Sequence, residues 1–215
     1  MTSALDDGVY IRSMGARGHL GGLARSTPQA VRVLDAAGCD VVIVETVGVG
    51  QSEVEIAGLA DTTVVLLAPG MGDGIQAAKA GILEIGDVFV VNKADREGAD
   101  QTRRELRGMI NMSERGEGSW KPPIVSTVAR AGTGLDELAA KLAEHRAWLD
   151  ETGELDRRRT KRARDEIEAI ALAELRTRWG NLRGGADLDD LAASVAAGDS
   201  DPYAAADRLL AGLEE

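Results

Sequence analysis

The tetrapeptide Asn92-Lys93-Ala94-Asp95 closes the apolar run DVFVV, and its residue types suit recognition of a nucleotide base. An asparagine amide can bond the edge of a purine ring, and the aliphatic stem of a lysine can cover the face of the base. The Asp95 carboxylate can accept two N–H bonds, from N1 and N2 of guanine, a pattern adenine cannot supply. Such a site discriminates strongly, because the wrong base leaves a carboxylate unpaired. A second stretch, VVIVETVGVGQSE at 41–53, ends an apolar run on Glu45 and opens at once into Gly48 and Gly50. A strand interior has no use for an unpaired charge. At a strand end, an acid can hold a water on Mg²⁺, and the glycines let the backbone swing toward a phosphate. The same residues also fit a surface turn with an incidental acid. A third stretch, IVSTVARAGTG, places Val128, Ala129 and Arg130 where a strand end can offer backbone N–H groups to a base carbonyl.

These residues need a scaffold that aligns strand ends, and the hydrophobic pattern supplies one. TPQAVRVLDAAG reads as a helix, with Thr27 as N-cap, Pro28 at N1 and Gly38 at its end. DVVIVE follows as a β-branched run, SEVEIAGLA as a helix and TTVVLLAP as a second strand. GIQAAKAGILEIG is helical, DVFVVN a third strand, ADQTRRELRGMI a polar helix, IVSTV a fourth strand and GLDELAAKLAEHRAWL a helix. Continuous apolar strands alternating with helices predict a doubly wound α/β fold with a mostly parallel sheet, covered on both faces. In such folds ligands sit at the carboxyl ends of the strands. After residue 150 the strands stop. The charge run DRRRTKRARDE leads into Ile167, Ile170, Ala171 and Leu175 at helical spacing and reads as a solvated helix face. Helical stretches at 187–197 and 202–213 complete a tail expected to pack on a partner subunit.

Composition narrows the function classes. The 215 residues carry a formal net charge of -11, which disfavours a sequence-independent grip on nucleic acid or on anionic lipid. Aromatics are 3% of the chain, too few for a base-stacking platform. With one cysteine, Cys39, and two histidines, His19 and His145, no internal disulfide and no zinc cluster is expected. Cys39 reads as a small core residue beside a strand, and Trp120, Trp148 and Trp179 as packing residues. No signal peptide or long apolar span is present, so the expected location is cytoplasmic, without membrane or nucleic-acid partners.

Taken together, YIRSMGARGHLGGLA, DVVIVETVGVGQSE, PGMGDGIQAAKAGILEIGD, VVNKAD and HRAWLDETGEL resemble the MeaB/ArgK family of P-loop GTPases, over nearly the whole chain to about residue 180. Members of that family are GTP-dependent chaperones of adenosylcobalamin-dependent methylmalonyl-CoA mutase, gating cofactor delivery and protecting the mutase. The resemblance implies GTP or GDP and Mg²⁺ as cofactors. Glu45 would stand in a catalytic switch near Mg²⁺, acting through a water, and Gly48 would sense the γ-phosphate through its N–H. Residues 12–25 resemble a switch that meets the mutase. Asp73, Gln76 and Lys79 match a third switch, although from the residues alone that segment is a glycine-loosened helix start with exposed polar groups. Asn92, Lys93 and Asp95 would read guanine, with Val128, Ala129 and Arg130 closing over the base. The implied domains are a partial GTPase domain at 1–149 and a helical homodimerisation extension at 150–215.

One departure from the family pattern is large. A P-loop, G-x-x-x-x-G-K-[ST], cradles phosphates, neutralises them with its lysine and ligates Mg²⁺ with its hydroxyl. The dipeptide Gly-Lys does not occur in these 215 residues. The first strand and P-loop of the nucleotide fold are therefore expected to be missing; a misplaced start, a fragment or a true short paralogue would each explain this, and MTSALDDGVYIRS, which begins in mid-motif, favours the first. Phosphate contacts provide most of the affinity in such sites. Alone, this chain is expected to bind GTP poorly and not to hydrolyse it measurably. The alternative functions are a non-hydrolysing module that binds the mutase or a homologue and, more weakly, an amino-acid transport kinase.

Overall fold

The computed structural model describes residues 6, 8–15, 26–46, 58–70, 81–112, 116, 118–178 and 186–211. Helix α1 spans Thr27–Ala36, with Ser26 at the N-cap and Pro28 in the first turn. It ends because Gly38 takes φ 85°, letting the N–H of Gly38 reach Asp35 O and that of Cys39 reach Leu34 O. Three parallel strands follow in spatial order β1 (Val64–Leu67), β2 (Val88–Asn92) and β3 (Ile124–Thr127). Between them run α2 (Gly81–Ile85) and α3 (Ala99–Met112), and α4 (Leu135–Glu151) follows β3.

Period-two alternation within β2 sends its side chains to two separate clusters. Phe89 and Val91 pack with Ala99 and Leu106 of α3, joined by Leu83 of α2 and by Val65 and Leu67. Val88 and Val90 pack on the opposite face with Val125 and with Leu138 and Leu142 of α4. Helices thus cover both faces of a parallel sheet, which is the doubly wound arrangement expected from the apolar runs.

The run DVVIVE departs from expectation. Residues 40–46 form no strand, and Val41 and Ile43 are 76% and 86% exposed. A strand exists only where a neighbour takes its N–H and C=O groups, and none of the described strands pairs with this run. The free side of the sheet is open in the same way. β1 pairs with β2 alone, and its Leu66 side chain is 62% exposed. Cys39, expected in the core, is exposed, because it leads into this unpaired run. SEVEIAGLA lies mostly outside the described residues, as does Trp179.

At the amino ends of the strands, one carboxylate gathers five elements. Asp87, nearly buried, precedes β2. It accepts two hydrogen bonds of 3.0 Å from the Arg158 guanidinium and one of 2.9 Å from the Thr63 N–H. Its backbone carbonyl accepts from Trp120 Nε1 at 2.7 Å. His145 of α4 is fully buried, with Nδ1 2.9 Å from Thr62 Oγ1. Its Nε2 lies 3.3 Å from Asp87 Oδ1, near enough for an ionic contact but poorly aligned for a hydrogen bond. The His145 ring and the indoles of Trp120 and Trp148 pack as a triangle, with centroids 4.8, 5.7 and 5.8 Å apart. Both indoles are packing residues, as their types suggested. Burial pushes the Asp87 carboxyl up, but His145, Arg158 and the Thr63 N–H outweigh it and hold the group below its ordinary value.

Arg158 belongs to α5 (Glu154–Arg178), the helix formed by the charge run. The reading of that run as a solvated face fails at its first turns. Arg158 and Arg159 turn onto the strand side, and Arg159 Nη2 donates to Asp61 Oδ2 at 2.7 Å. The chain divides into two compact units, 1–159 and 160–215. The second contains the rest of α5 together with α6 (Ala186–Ala197) and α7 (Pro202–Ala211). Within it Ala205 is buried, while Ile167 and Ile170 of α5 are 68% and 56% exposed.

Candidate functional site

The carboxyl ends of β2 and β3 bring two of the three candidate stretches together. Parallel register places Asn92, last in β2, opposite Thr127, last in β3. The Ala94 N–H donates to Thr127 O at 3.0 Å, so the loop leaving β2 is stitched to β3. Lys93 turns through φ 57°, a left-handed conformation that side chains other than glycine seldom adopt. A 3.0 Å bond from Arg96 N–H to Lys93 O closes that turn. Lys93 and Asp95 are exposed at the tip, and the Asp95 carboxylate has no partner among the described residues.

The Asn92 amide has one orientation that fits its neighbours. The Ala129 N–H, 3.2 Å away, is a donor and can meet only the carbonyl oxygen Oδ1. The hydroxyl of Thr127, buried at 2% exposure, donates to the same oxygen at 3.2 Å. The amide NH₂ of Asn92 is then the free end, with no partner among the described residues. Sequence reasoning did not single out Thr127, because in IVSTV it reads only as a strand residue.

The stretch 128–130 forms a single 3₁₀ turn, Ala129–Ala131, beside Asn92. Its N–H groups serve the protein first: Val128 N–H donates to Thr133 O at 3.0 Å, and Ala129 N–H to Asn92. Arg130 is exposed at the rim. The helix that follows is held hard against β3. Gly134 adopts φ 79°, and a Cβ there would lie 2.2 Å from Ser126 O, so only glycine fits. An open cleft of about 630 Å³ adjoins the loop, lined by Ala94, Arg96, Gly98, Gln101 and Arg104 among others. It borders Asn92, Lys93 and Asp95 without including them.

The remaining candidates are not part of this cluster. Glu45 is exposed in the unpaired run 40–46, and no hydrogen bond or ion pair joins it to the β2 and β3 ends. Gly48, Asp73, Gln76 and Lys79 lie outside the described residues, as do Gln51 and His19. Among the described residues no group of three or more His, Cys, Asp or Glu side chains comes together to hold a metal ion. Among them, too, no helix is long and apolar enough to cross a membrane.

Comparisons with known proteins bear on the fold and the family. A solved structure described as a LAO/AO transport system kinase superposes with a TM-score of 0.66, at 23% identity, over 87% of this chain and 62% of that one. At that identity the likeness speaks for the fold. A Pyrococcus abyssi protein provisionally named a GTPase is 46% identical over 207 residues, covering 95% of this chain and 64% of its own length. The mouse protein "Methylmalonic aciduria type A homolog, mitochondrial" is 35% identical over 157 residues, 72% of this chain and 38% of its own. The chain thus spans a little under two-thirds of the length of the Pyrococcus relative. A family model described as methylmalonyl Co-A mutase-associated GTPase MeaB matches residues 1–181, and the chain belongs to the MeaB family.

Proposed function

We propose that this chain is the base-reading part of a guanine-nucleotide switch, a GTP-binding and GTP-hydrolysing chaperone of adenosylcobalamin-dependent methylmalonyl-CoA mutase. One observation carries the base-reading claim. At the joined ends of β2 and β3 the Asn92 NH₂ and the Asp95 carboxylate are both free, a donor and a charged acceptor in one loop. A purine with an acceptor on its five-membered ring and N–H donors at N1 and N2 satisfies both, and that base is guanine. The mutase-chaperone role rests on membership of a family described as mutase-associated.

In this reading Lys93 covers the base, and Val128, Ala129 and Arg130 close over it, with Ala129 acting through Asn92. Glu45 serves Mg²⁺ through a water, Gly48 meets the γ-phosphate, and Asp73, Gln76 and Lys79 couple nucleotide state to the mutase. Residues 150–215 form the homodimer arm. The protein works in the cytoplasm. The phosphate cradle is not within these residues, since Gly-Lys is absent from them. The chain alone therefore binds guanine nucleotides weakly, through the base, and does not turn GTP over. A second reading is a non-hydrolysing interaction module for the mutase or a homologue.

Asp95→Asn tests the guanine reading. An amide in place of the carboxylate loses one acceptor and gains a donor, which suits the 2-oxo group of xanthine. Titration should show GDP weakened about tenfold or more and XDP strengthened. Equal binding of GDP and ADP by the unaltered chain would overturn the reading. Mutase binding that ignores nucleotide would favour the interaction module.

A further inference from the structure

We propose that Arg158 and His145 are alternative partners of Asp87 in a proton-linked latch: when the first turns of α5 lift away, the buried imidazole takes up one proton from solvent and holds the carboxylate in place of the guanidinium. The latch lies at the amino ends of the strands, away from the base-reading loop, and does not depend on the nucleotide.

His145 is fully shut from water, yet its surroundings suit a cation. Its Nε2 stands 3.3 Å from Asp87 Oδ1 and makes no hydrogen bond. A ring lone pair facing a carboxylate is repulsive, so the hydrogen of the neutral ring belongs on Nε2, and the Thr62 hydroxyl donates to Nδ1 at 2.9 Å. A hydroxyl accepts as well as donates, so the Thr62 contact survives when Nδ1 gains a hydrogen. The indoles of Trp120 and Trp148, with centroids 4.8 and 5.8 Å from the ring, lie within the range at which aromatic faces attract a cation.

Arg158 keeps the second proton off. Its guanidinium already neutralises Asp87 through two 3.0 Å bonds, one of them to the same Oδ1 that faces Nε2. An imidazolium added there would be a second cation on one carboxylate, and excess buried charge is costly. Taking the guanidinium away reverses the balance, because the carboxylate is then buried without a charged partner and the imidazole beside it can become one. The other charges nearby are already engaged or exposed. Glu154 accepts from Arg158 Nε at 3.4 Å, Asp61 holds Arg159, and on α4 Lys141 pairs with Glu144 and Arg146 with Asp150. Lys121, next to Trp120, is exposed.

The helix so held runs from Glu154 to Arg178, while the first compact unit ends at residue 159. Arg158 thus sits where α5 leaves that unit. The closed state holds a neutral ring and the open state a charged one, so the open state binds more protons. Opening is therefore favoured as pH falls, and the latch is firmest at higher pH. The window is that of an imidazole, about pH 5–8, above the acid range in which a carboxylate titrates.

Amide hydrogen exchange at residues 157–162 of the full chain, corrected for the intrinsic rate at each pH, reads the opening. In the unaltered chain opening should rise about tenfold from about pH 8 to about pH 6. His145→Gln, which has no proton to take up in that window, should abolish the rise. Equal slopes in the two chains would overturn the inference, and so would a flat profile in the unaltered one. A slope spread over the whole chain, and not confined to the root of α5, would show a merely structural role and count against it as well. Nitrogen-15 spectra of the His145 ring give an independent readout. At about pH 7.5 the ring should be neutral in the unaltered chain and carry a hydrogen on both nitrogens in Arg158→Met. A ring that stays neutral in Arg158→Met down to about pH 6 would mean that Asp87 has no replacement partner, and the latch would be refuted. A ring already charged in the unaltered chain would refute it too, since no proton is left to take up. The ring spectra decide the matter if His145→Gln fails to fold, and exchange in the unaltered chain decides it if Arg158→Met does.

Discussion

Replacing Arg158 with Met tests whether one buried carboxylate organises the amino ends of the strands. The substitution keeps the side-chain bulk and removes both 3.0 Å bonds to Asp87 as well as the 3.1 Å bond to Asp61 O. Asp87 is left with the Thr63 N–H and the poorly aligned His145 Nε2, in a setting where its side chain is 9% exposed. Removing one partner of a buried ion pair costs about 3–5 kcal/mol. Here the Arg158 side chain is 31% exposed, so water screens part of the pair and the lower end, about 3 kcal/mol, is expected. Against a total stability of about 5–15 kcal/mol for an ordinary domain, that is a large fraction. Urea unfolding read by tryptophan fluorescence is the assay, since Trp120 donates to the Asp87 carbonyl and packs on His145. Asp87→Asn/Arg158→Met should cost less than the sum of the two single changes, by about 1–3 kcal/mol. The acid limb gives a second check. Asp87 has a depressed value in the folded state, so the unfolded chain binds more protons and stability rises with pH. Its contribution is complete above the unfolded value, about 3.9, and is lost as pH falls from there through the folded value. Asp87→Asn should flatten stability in that window. A cost for Arg158→Met below about 0.5 kcal/mol, the range of an ordinary surface change, would refute the reasoning.

Two further changes probe the ends of the sheet and its open side. Gly134→Ala sets a methyl 2.2 Å from Ser126 O at φ 79°, and should cost about 2–4 kcal/mol in thermal unfolding; a neutral result would mean that α4 is not held against β3. Leu66→Lys should cost less than about 0.5 kcal/mol and reduce self-association at high concentration, because the side chain is 62% exposed on an edge strand. A large loss there would show that something covers β1 in solution.

The legible part of this fold is its periodicity. VVLL, VFVVN and IVST carry apolar side chains on both faces, and the helices around them read at 3.6 spacing, so the two-sided parallel sheet follows from local pattern alone. DVVIVE carries the same signal and yet forms no strand. Its composition is adequate; among the described residues it has no strand neighbour, and pairing is a property of two segments. Arg158 is illegible for a related reason. Within DRRRTKRARDE every cation has the same local surroundings, and the one that goes inward is chosen by Asp87, 71 positions away.

The candidate site divides along the same line. Asn92, Lys93 and Asp95 stand within four consecutive positions, so their types and spacing point to base recognition without knowledge of the fold. The Asn92 side chain is held by Thr127 and by the Ala129 N–H, which come from another strand and the turn after it. Register alone brings them there: a slip of one residue between β2 and β3 would turn the Thr127 hydroxyl to the opposite face. A motif match can identify the loop, but its selectivity depends on β3 staying in register. Substitutions on β3 that shift register while leaving all four loop residues intact should thus lose the preference for GDP over ADP before they lose the fold.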